Sequence, residues 1–256
     1  MVSRKRARSG TVVGLVMDKL FGRLLCCCLV VFLHGGVLGV APDFAWGADP
    51  SGRLAAGEII TDFEAVPGSN LKKGRVVGVV AAPPEKVWEV VTDANNFQFF
   101  MPRMLRSRLL SQEEVNRVLQ TQPNSADAVE AGFGSAPPPE VAQFRVPGHK
   151  YQGYFFGQVK VPWPLGNRWY IVKLQYDESQ AARHIYRCSW SLVTGNLKEN
   201  RGEWKVEPFG DNKTRLTYRV VTDPGGLVPK FIVEKFTAQT LPEIIIGVRN
   251  RLASRR

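Results

Sequence analysis

Few side chains in this chain could make or break bonds. Past residue 47 the imidazoles are His149 and His184, and the one thiol is Cys188. His149 follows Pro147-Gly148 and reads as a solvated turn residue. His184 is read on the apolar face of a strand that also carries Tyr186, Cys188, Trp190 and Leu192, where a hydrogen-bonded structural histidine outweighs a catalytic base. Cys188 on that face reads as an inert buried thiol. The chain contains no His-Glu-x-x-His, Gly-x-Ser-x-Gly or Cys-x-x-Cys and no zinc ligand set. Gly132-Phe133-Gly134 lacks the strand–helix frame and third glycine of a nucleotide loop. No catalytic residue, metal or cofactor is therefore expected. Arg145 and Arg168 are the candidates for orienting a polar head group, because a guanidinium pairs well with carboxylate and phosphate.

What the chain does hold is aromatic rings at alternating positions. In 151–161, Tyr151, Gly153, Phe155, Gly157, Val159 and Val161 share one face, and Lys150, Gln152, Gln158 and Lys160 the other, with Tyr154 and Phe156 as exceptions. Tyr170, Val172, Leu174 and Tyr176 share a face of the next strand; Tyr186 and Trp190, then Trp204 and Val206, then Leu216, Tyr218 and Val220 continue the series. One apolar and one wet face is the antiparallel signature, and Thr194-Gly195-Asn196 and Gly210-Asp211-Asn212 supply hairpin turns.

The elements around these strands follow from the same kind of reading. Over 229–251, Val233, Phe236, Leu241, Ile244, Ile245 and Val248, with Leu252 beyond, recur on a 3.6-residue period, which predicts a long C-terminal helix with Pro229 in its first turn and Pro242 inside it. Ahead of the sheet lie an edge strand at 57–63, a strand at 75–80, a short helix carrying Val87, Trp88 and Val91, a second short helix at 95–100 and a strand at 104–111. The segment 111–140, broken by Pro123, Gly132 and Pro137-Pro138-Pro139, is expected to be a loose surface insertion with one helical turn at 113–119. Consecutive strands exclude α/β winding, so the fold class is α+β: a curved antiparallel sheet on a long C-terminal helix, with two short helices after the first strand.

Such a sheet encloses a hollow unless its inward residues fill it, and large rings alternating with Gly153 and Gly157 suggest that they do not. The expected lining is Tyr151, Phe155, Tyr170, Tyr186, Trp190, Trp204, Tyr218 and Phe236. Trp88, Trp190 and Phe236 are expected to be buried. The expected gate is Gly225, Gly226, Leu227 and Val228, where glycines absorb backbone changes and two apolar residues sit at a loop tip.

Three motifs in order carry a resemblance. Val80-Ala81-Ala82-Pro83-Pro84-Glu85-Lys86-Val87-Trp88, followed by Thr92-Asp93 and Phe100-Met101-Pro102, resembles the opening of the START-like superfamily, which includes polyketide cyclases, coenzyme Q-binding proteins and plant pathogenesis-related proteins. Pro162-Trp163-Pro164-Leu165-Gly166-Asn167-Arg168 is similar to the START lipid-transfer signature, with Trp169 where that signature has an acid. Asp223-Pro224-Gly225-Gly226-Leu227-Val228-Pro229 is similar to the loop before the last helix of that family. The resemblance implies a helix-grip fold at 74–254 with a pocket for a lipid, sterol, quinone or polyketide. Two functions stand under it: a carrier of a lipid, quinone or other hydrophobic small molecule, or a cyclase or dehydrase acting on a polyketide in the same pocket. The scarcity of acids and histidines on the inner faces favours the carrier.

Segment 1–47 reads as basic, then apolar, then small, ending in Ala45-Trp46-Gly47, the order of a secretory signal peptide. Export to the periplasm or outside is the expectation, with an uncleaved anchor in the cytoplasmic membrane as the alternative and Met17 as a second candidate start. Segment 48–73 is an N-terminal extension with the edge strand. Cys26, Cys27 and Cys28 fall in the apolar run, so a cleaved chain keeps only Cys188 and forms no internal disulfide. The net charge is +11, and 1–47 contributes six basic and two acidic residues, so the remainder stays basic. That charge suits transient contact with an anionic membrane surface. The basic residues are scattered and form no nucleic-acid module. The chain is expected to be a monomer.

Overall fold

The computed structural model describes residues 50–69, 71–161, 166–226 and 230–255. The leader, the stretch 162–165 of the lipid-transfer signature, the gate candidates Leu227 and Val228, and Pro229 lie outside the described residues. Eight strands, β1 (Ile60–Ala65), β2 (Lys72–Val80), β3 (Met104–Leu110), β4 (Lys150–Val159), β5 (Arg168–Gln180), β6 (Ile185–Gly195), β7 (Glu199–Pro208) and β8 (Thr214–Asp223), form one antiparallel sheet. Their order is β1-β2-β8-β7-β6-β5-β4-β3. The chain therefore starts at one edge, crosses to the other between β2 and β3, and returns strand by strand. Six strands after the two short helices, and the α+β helix-grip architecture as a whole, match the reading of the sequence.

A first short helix, α1 (Ser51–Ala55), precedes β1. The crossing from β2 to β3 is made by helix α2 (Pro84–Val91) and a 3-10 turn at Ala94–Phe99. Pro84 opens α2, where its missing N–H is not needed, and Val87, Trp88, Val90 and Val91 turn to the core. The last strand, β8, lies beside β2, and the chain then leaves the sheet for the long C-terminal helix, Lys230–Ala253, which packs on β2. Two glycines admit it. A Cβ on Gly74 would lie 2.9 Å from Leu241 Cδ1, and one on Gly78 2.6 Å from Ile245 Cγ2. The helix approaches the 3-10 turn equally closely, since a Cβ on Gly247 would lie 2.5 Å from the Phe100 carbonyl oxygen. Leu241, Ile244, Ile245 and Val248 are buried, whereas Val233 and Phe236 are half-buried and Phe231 is 67% exposed. Trp88 is buried as expected, but Trp190 is half-buried, like Phe236.

The segment 111–140 differs from its reading as a loose insertion. It holds α3 (Gln112–Thr121) and α4 (Ala126–Ala131), and α5 (Val141–Phe144) follows it. A capping box starts α3: Ser111 Oγ accepts from the Glu114 N–H at 3.2 Å, and Glu114 Oε2 accepts from the Ser111 N–H at 2.8 Å. Val115, Val118 and Val129 are buried against Leu110, Phe156, Trp169 and Ile171 on the outer face of the sheet. This second core explains why Phe156 breaks the alternation of β4. It also places Trp169 outside the sheet–helix space, so that position has no bearing on a charge inside it.

Candidate functional site

Between the inner face of the sheet and the long C-terminal helix, called α6 from here on (Lys230–Ala253), lies a cavity of ≈ 170 Å³. Its walls are Val91, Ala94, Phe97, Met101 and Met104 from the α2–β3 crossing, the inner residues of β4 to β8, and Thr240 and Ile244 of α6. The lining contains no carboxylate, imidazole, ammonium or guanidinium group. The glycines read as gaps are not gaps. A Cβ on Gly157 would lie 2.9 Å from Tyr170 Oη, and one on Gly153 3.0 Å from Phe144 Cζ, so neighbouring rings already occupy both places. In the cavity wall Trp190, Trp204 and Tyr218 lie against one another, with centroids 5.3 Å (Trp190–Tyr218) and 4.5 Å (Trp204–Tyr218) apart. Trp190 lies over the bare backbone of Gly202.

An outer chamber of ≈ 170 Å³ adjoins the first and shares Tyr170, Asn200, Tyr218, Thr240 and Ile244 with it. Together the two approach the lower end of the ~300–1,000 Å³ range of small-molecule sites. The outer chamber opens between the end of β4, the start of β5 and the exposed half of α6, and its charged lining groups are Arg103, Lys160 and Arg168. Arg103 sits at φ 60 with its guanidinium carbon 4.9 Å from the Phe236 ring centroid, and it pairs with Glu243 at 3.4 Å. Arg168, read as a candidate head-group partner, lies at the mouth, where its Nε donates to the Pro224 carbonyl at 3.0 Å. Gly225 and Gly226, at φ 70 and 76, border a further groove of ≈ 190 Å³ beside the β8–α6 loop, which shares Val220, Thr222, Pro224, Val233 and Thr237 with the outer chamber.

Of the expected lining, Phe155, Tyr170, Trp190, Trp204 and Tyr218 border the inner chamber and Phe236 the outer one. Tyr151, Tyr186 and Arg145 border neither. They lie at the far end of the inner face, under α2, around a carboxylate that the sequence reading passed over. Glu178 is 1% exposed and accepts from Trp88 Nε1 at 2.8 Å, Tyr151 Oη at 2.6 Å, and Arg145 Nε and Nη2 at 2.9 and 3.0 Å. Burial raises the pKa of this carboxyl, but its bonds from Arg145, Tyr151 and Trp88 outweigh burial and hold it below the usual value. Arg145 is thus a partner of Glu178 and not a head-group anchor. Tyr186 stacks on Trp88 at 5.4 Å and donates to Glu85 at 3.2 Å, and burial first, then Glu85, push its phenol up to about 12.

His184 is not on the strand face predicted for it. It ends a 3-10 turn at φ 57, has an exposed side chain and pairs with Glu85. Burial alone pushes the Cys188 thiol well above its usual range, which leaves it protonated and a poor nucleophile. Burial likewise raises the phenols of Tyr170, Tyr176 and Tyr218, so they stay protonated. Tyr176 Oη is buried without a partner among the described residues. Asn200, which the sequence reading also missed, is 7% exposed and accepts from Trp190 Nε1 at 3.0 Å. Its signal was present: a polar residue at the inward register position of β7, two before Gly202.

A family model described as polyketide cyclase / dehydrase and lipid transport matches residues 80–249. Among solved structures, the STAR-related lipid transfer protein of Xanthomonas axonopodis superposes with a TM-score of 0.54 at 19% identity, covering 76% of this chain and 93% of that one. Human StAR-related lipid transfer protein 5 gives a TM-score of 0.53 at 11% identity, over 77% and 83%. At these identities the likeness is one of fold. An uncharacterised protein of Pseudomonas aeruginosa is 24% identical over 107 residues, which span 39% of this chain and 53% of that relative.

Proposed function

Since the chain belongs to the polyketide cyclase/dehydrase and lipid transport family and its START-like domain binds a hydrophobic ligand, we propose that it is an exported carrier that takes up a lipid, quinone or similar molecule between sheet and α6 and passes it to or from membranes. The inner chamber supports this reading most directly. Its wall offers rings, methyls and thioethers but no group able to take or give a proton near neutral pH. A cyclase or dehydrase needs an acid or base within hydrogen-bond reach of its substrate, so the lining favours holding over reaction.

The leader at 1–47 supports export. At the mouth, Arg103, Lys160 and Arg168 form a cationic rim that suits a surface of anionic lipids, and Phe231 stands exposed on the first turn of α6. Native mass spectrometry of the purified mature protein tests the central reading. A co-purifying hydrophobic molecule, released on denaturation, is the expected result. An unliganded spectrum that stays unchanged on incubation with lipid and quinone mixtures would exclude a carrier. N-terminal sequencing of the fractionated protein tests export, which a full-length cytosolic chain would exclude.

A further inference from the structure

Among the residues that border both chambers, Tyr170, Tyr218, Asn200 and Thr240 are the polar ones, so they line, with Pro102, Val159 and Ile244, a neck that any molecule occupying both must pass. The orientation of the Asn200 amide is set by its neighbour. An indole N–H can only donate, and Trp190 Nε1 lies 3.0 Å from Asn200 Oδ1. The acceptor end of the amide is thereby used. Nδ2, with two N–H groups, has no partner among the described residues, and neither have the hydroxyls of Tyr170 and Tyr218. Thr240, on the opposite wall, gives its own proton to the Phe236 carbonyl at 2.8 Å and has none left to offer. No carboxylate lines either chamber to meet the spare donors. Buried polar groups are ordinarily paired, and donors left unmet in an apolar space are costly.

We propose that this neck binds a carbonyl-type oxygen, of a ketone, quinone or ester, set part-way along an otherwise apolar ligand. The proposal rests on the carrier reading and specifies what is carried. An sp² oxygen has two lone pairs and can accept from the amide and from a phenol together. A pure hydrocarbon at that level leaves all three donors unmet. The apolar body of the ligand then fills the inner chamber, and its other end points to the cationic rim.

A pair of fluorescent probes tests this. One is an acyl-dimethylaminonaphthalene, a ketone whose emission moves to longer wavelength when its carbonyl accepts a hydrogen bond. The other is its alkyl counterpart, with a methylene in place of the carbonyl. The wild-type protein is expected to bind the ketone roughly 10-fold tighter than the alkyl probe, the effect of one good net hydrogen bond. Tyr170→Phe with Tyr218→Phe, and separately Asn200→Leu, are expected to bring that ratio toward one and to shift the bound ketone's emission to shorter wavelength, with the alkyl probe bound at least as tightly as by the wild type. The double Phe variant keeps both ring shapes, so it carries the test if Asn200→Leu, which strands the Trp190 N–H, does not fold. Equal wild-type affinity for the two probes, or a preference that survives the double Phe variant, would overturn the neck while leaving the carrier reading in place. Binding of neither probe would overturn the carrier reading and the neck with it.

Discussion

The indole of Trp190 lies across the backbone of Gly202, so close that a Cβ on that glycine would stand 2.2 Å from Trp190 Cζ2 and 2.3 Å from the Arg219 carbonyl oxygen. The two residues face each other in the β6–β7 register. The missing side chain is thus what lets the Trp190 indole lie so close to the backbone of β7.

Gly202→Ala is therefore expected to displace Trp190 and lower stability by roughly 2–3 kcal/mol, the upper part of the overpacking range, since one obstructing atom is backbone. Chemical denaturation followed by tryptophan emission measures both effects. An alanine variant with native stability and emission would mean that the indole has room elsewhere.

Glu178→Gln removes the charge that joins α2, β4 and the turn before β4. Arg145 is 41% exposed and can rehydrate, so a loss of roughly 2–4 kcal/mol is expected at neutral pH, not the larger figure for a stranded buried charge. The pH dependence has a definite sign. The folded carboxyl titrates below its usual 4.5, so its contribution is complete above that pH and fades as the pH falls through the folded value. The stability gap between wild type and variant should then narrow in acid. A gap that stays constant from neutral pH down to about 3 would show that the carboxylate charge is not the source.

Val118→Ala with Val129→Ala hollows the outer core between the two insertion helices and the sheet. Both side chains are buried there, so a combined loss of roughly 2–4 kcal/mol is expected, seen as a fall in Tm of about 4–15 °C. A change within 1 °C would return the segment to the status of a dispensable loop.

Phe231→Asp places a charge at the exposed start of α6, where the wild-type side chain makes little contact with the fold. Transfer of a fluorescent lipid between anionic vesicles is expected to slow several-fold, with Tm unchanged. Transfer at the wild-type rate would move the membrane contact to another part of the mouth.

How much of this was legible differs between the two faces of the sheet. The inner face could be read because Tyr170, Trp190, Trp204 and Tyr218 each sit in strict alternation on their strands, and α6 because its stripe is long. What alternation does not encode is position along the strand. Tyr151 and Tyr186 share the inward face with the cavity rings, yet they lie at the end that α2 covers, and only the tertiary crossing decides that. Glu178 was invisible for the same reason: a single acid near a strand end reads as solvated until Arg145, Trp88 and Tyr151 converge on it. On the outer face the signal was there but sparse. Val115, Val118 and Val129 are few, yet the Ser111–Glu114 spacing is that of a capping box and Phe156 was a ring with no solvent-side reason to exist.

The uneven burial of α6 separates two quantities that are often assumed to move together. Its second half, from Leu241 to Val248, is held in the core, while the half that walls the outer chamber is covered only in part. Peeling back the first half therefore disturbs few contacts, and the barrier to ligand exchange is a local opening free energy, distinct from the global one. Amide hydrogens over 232–240 are expected to exchange by this sub-global route, and those over 244–248 only through complete unfolding. Substitutions that raise the melting temperature by tightening the β2–α6 contact would then leave the residence time of a bound molecule unchanged.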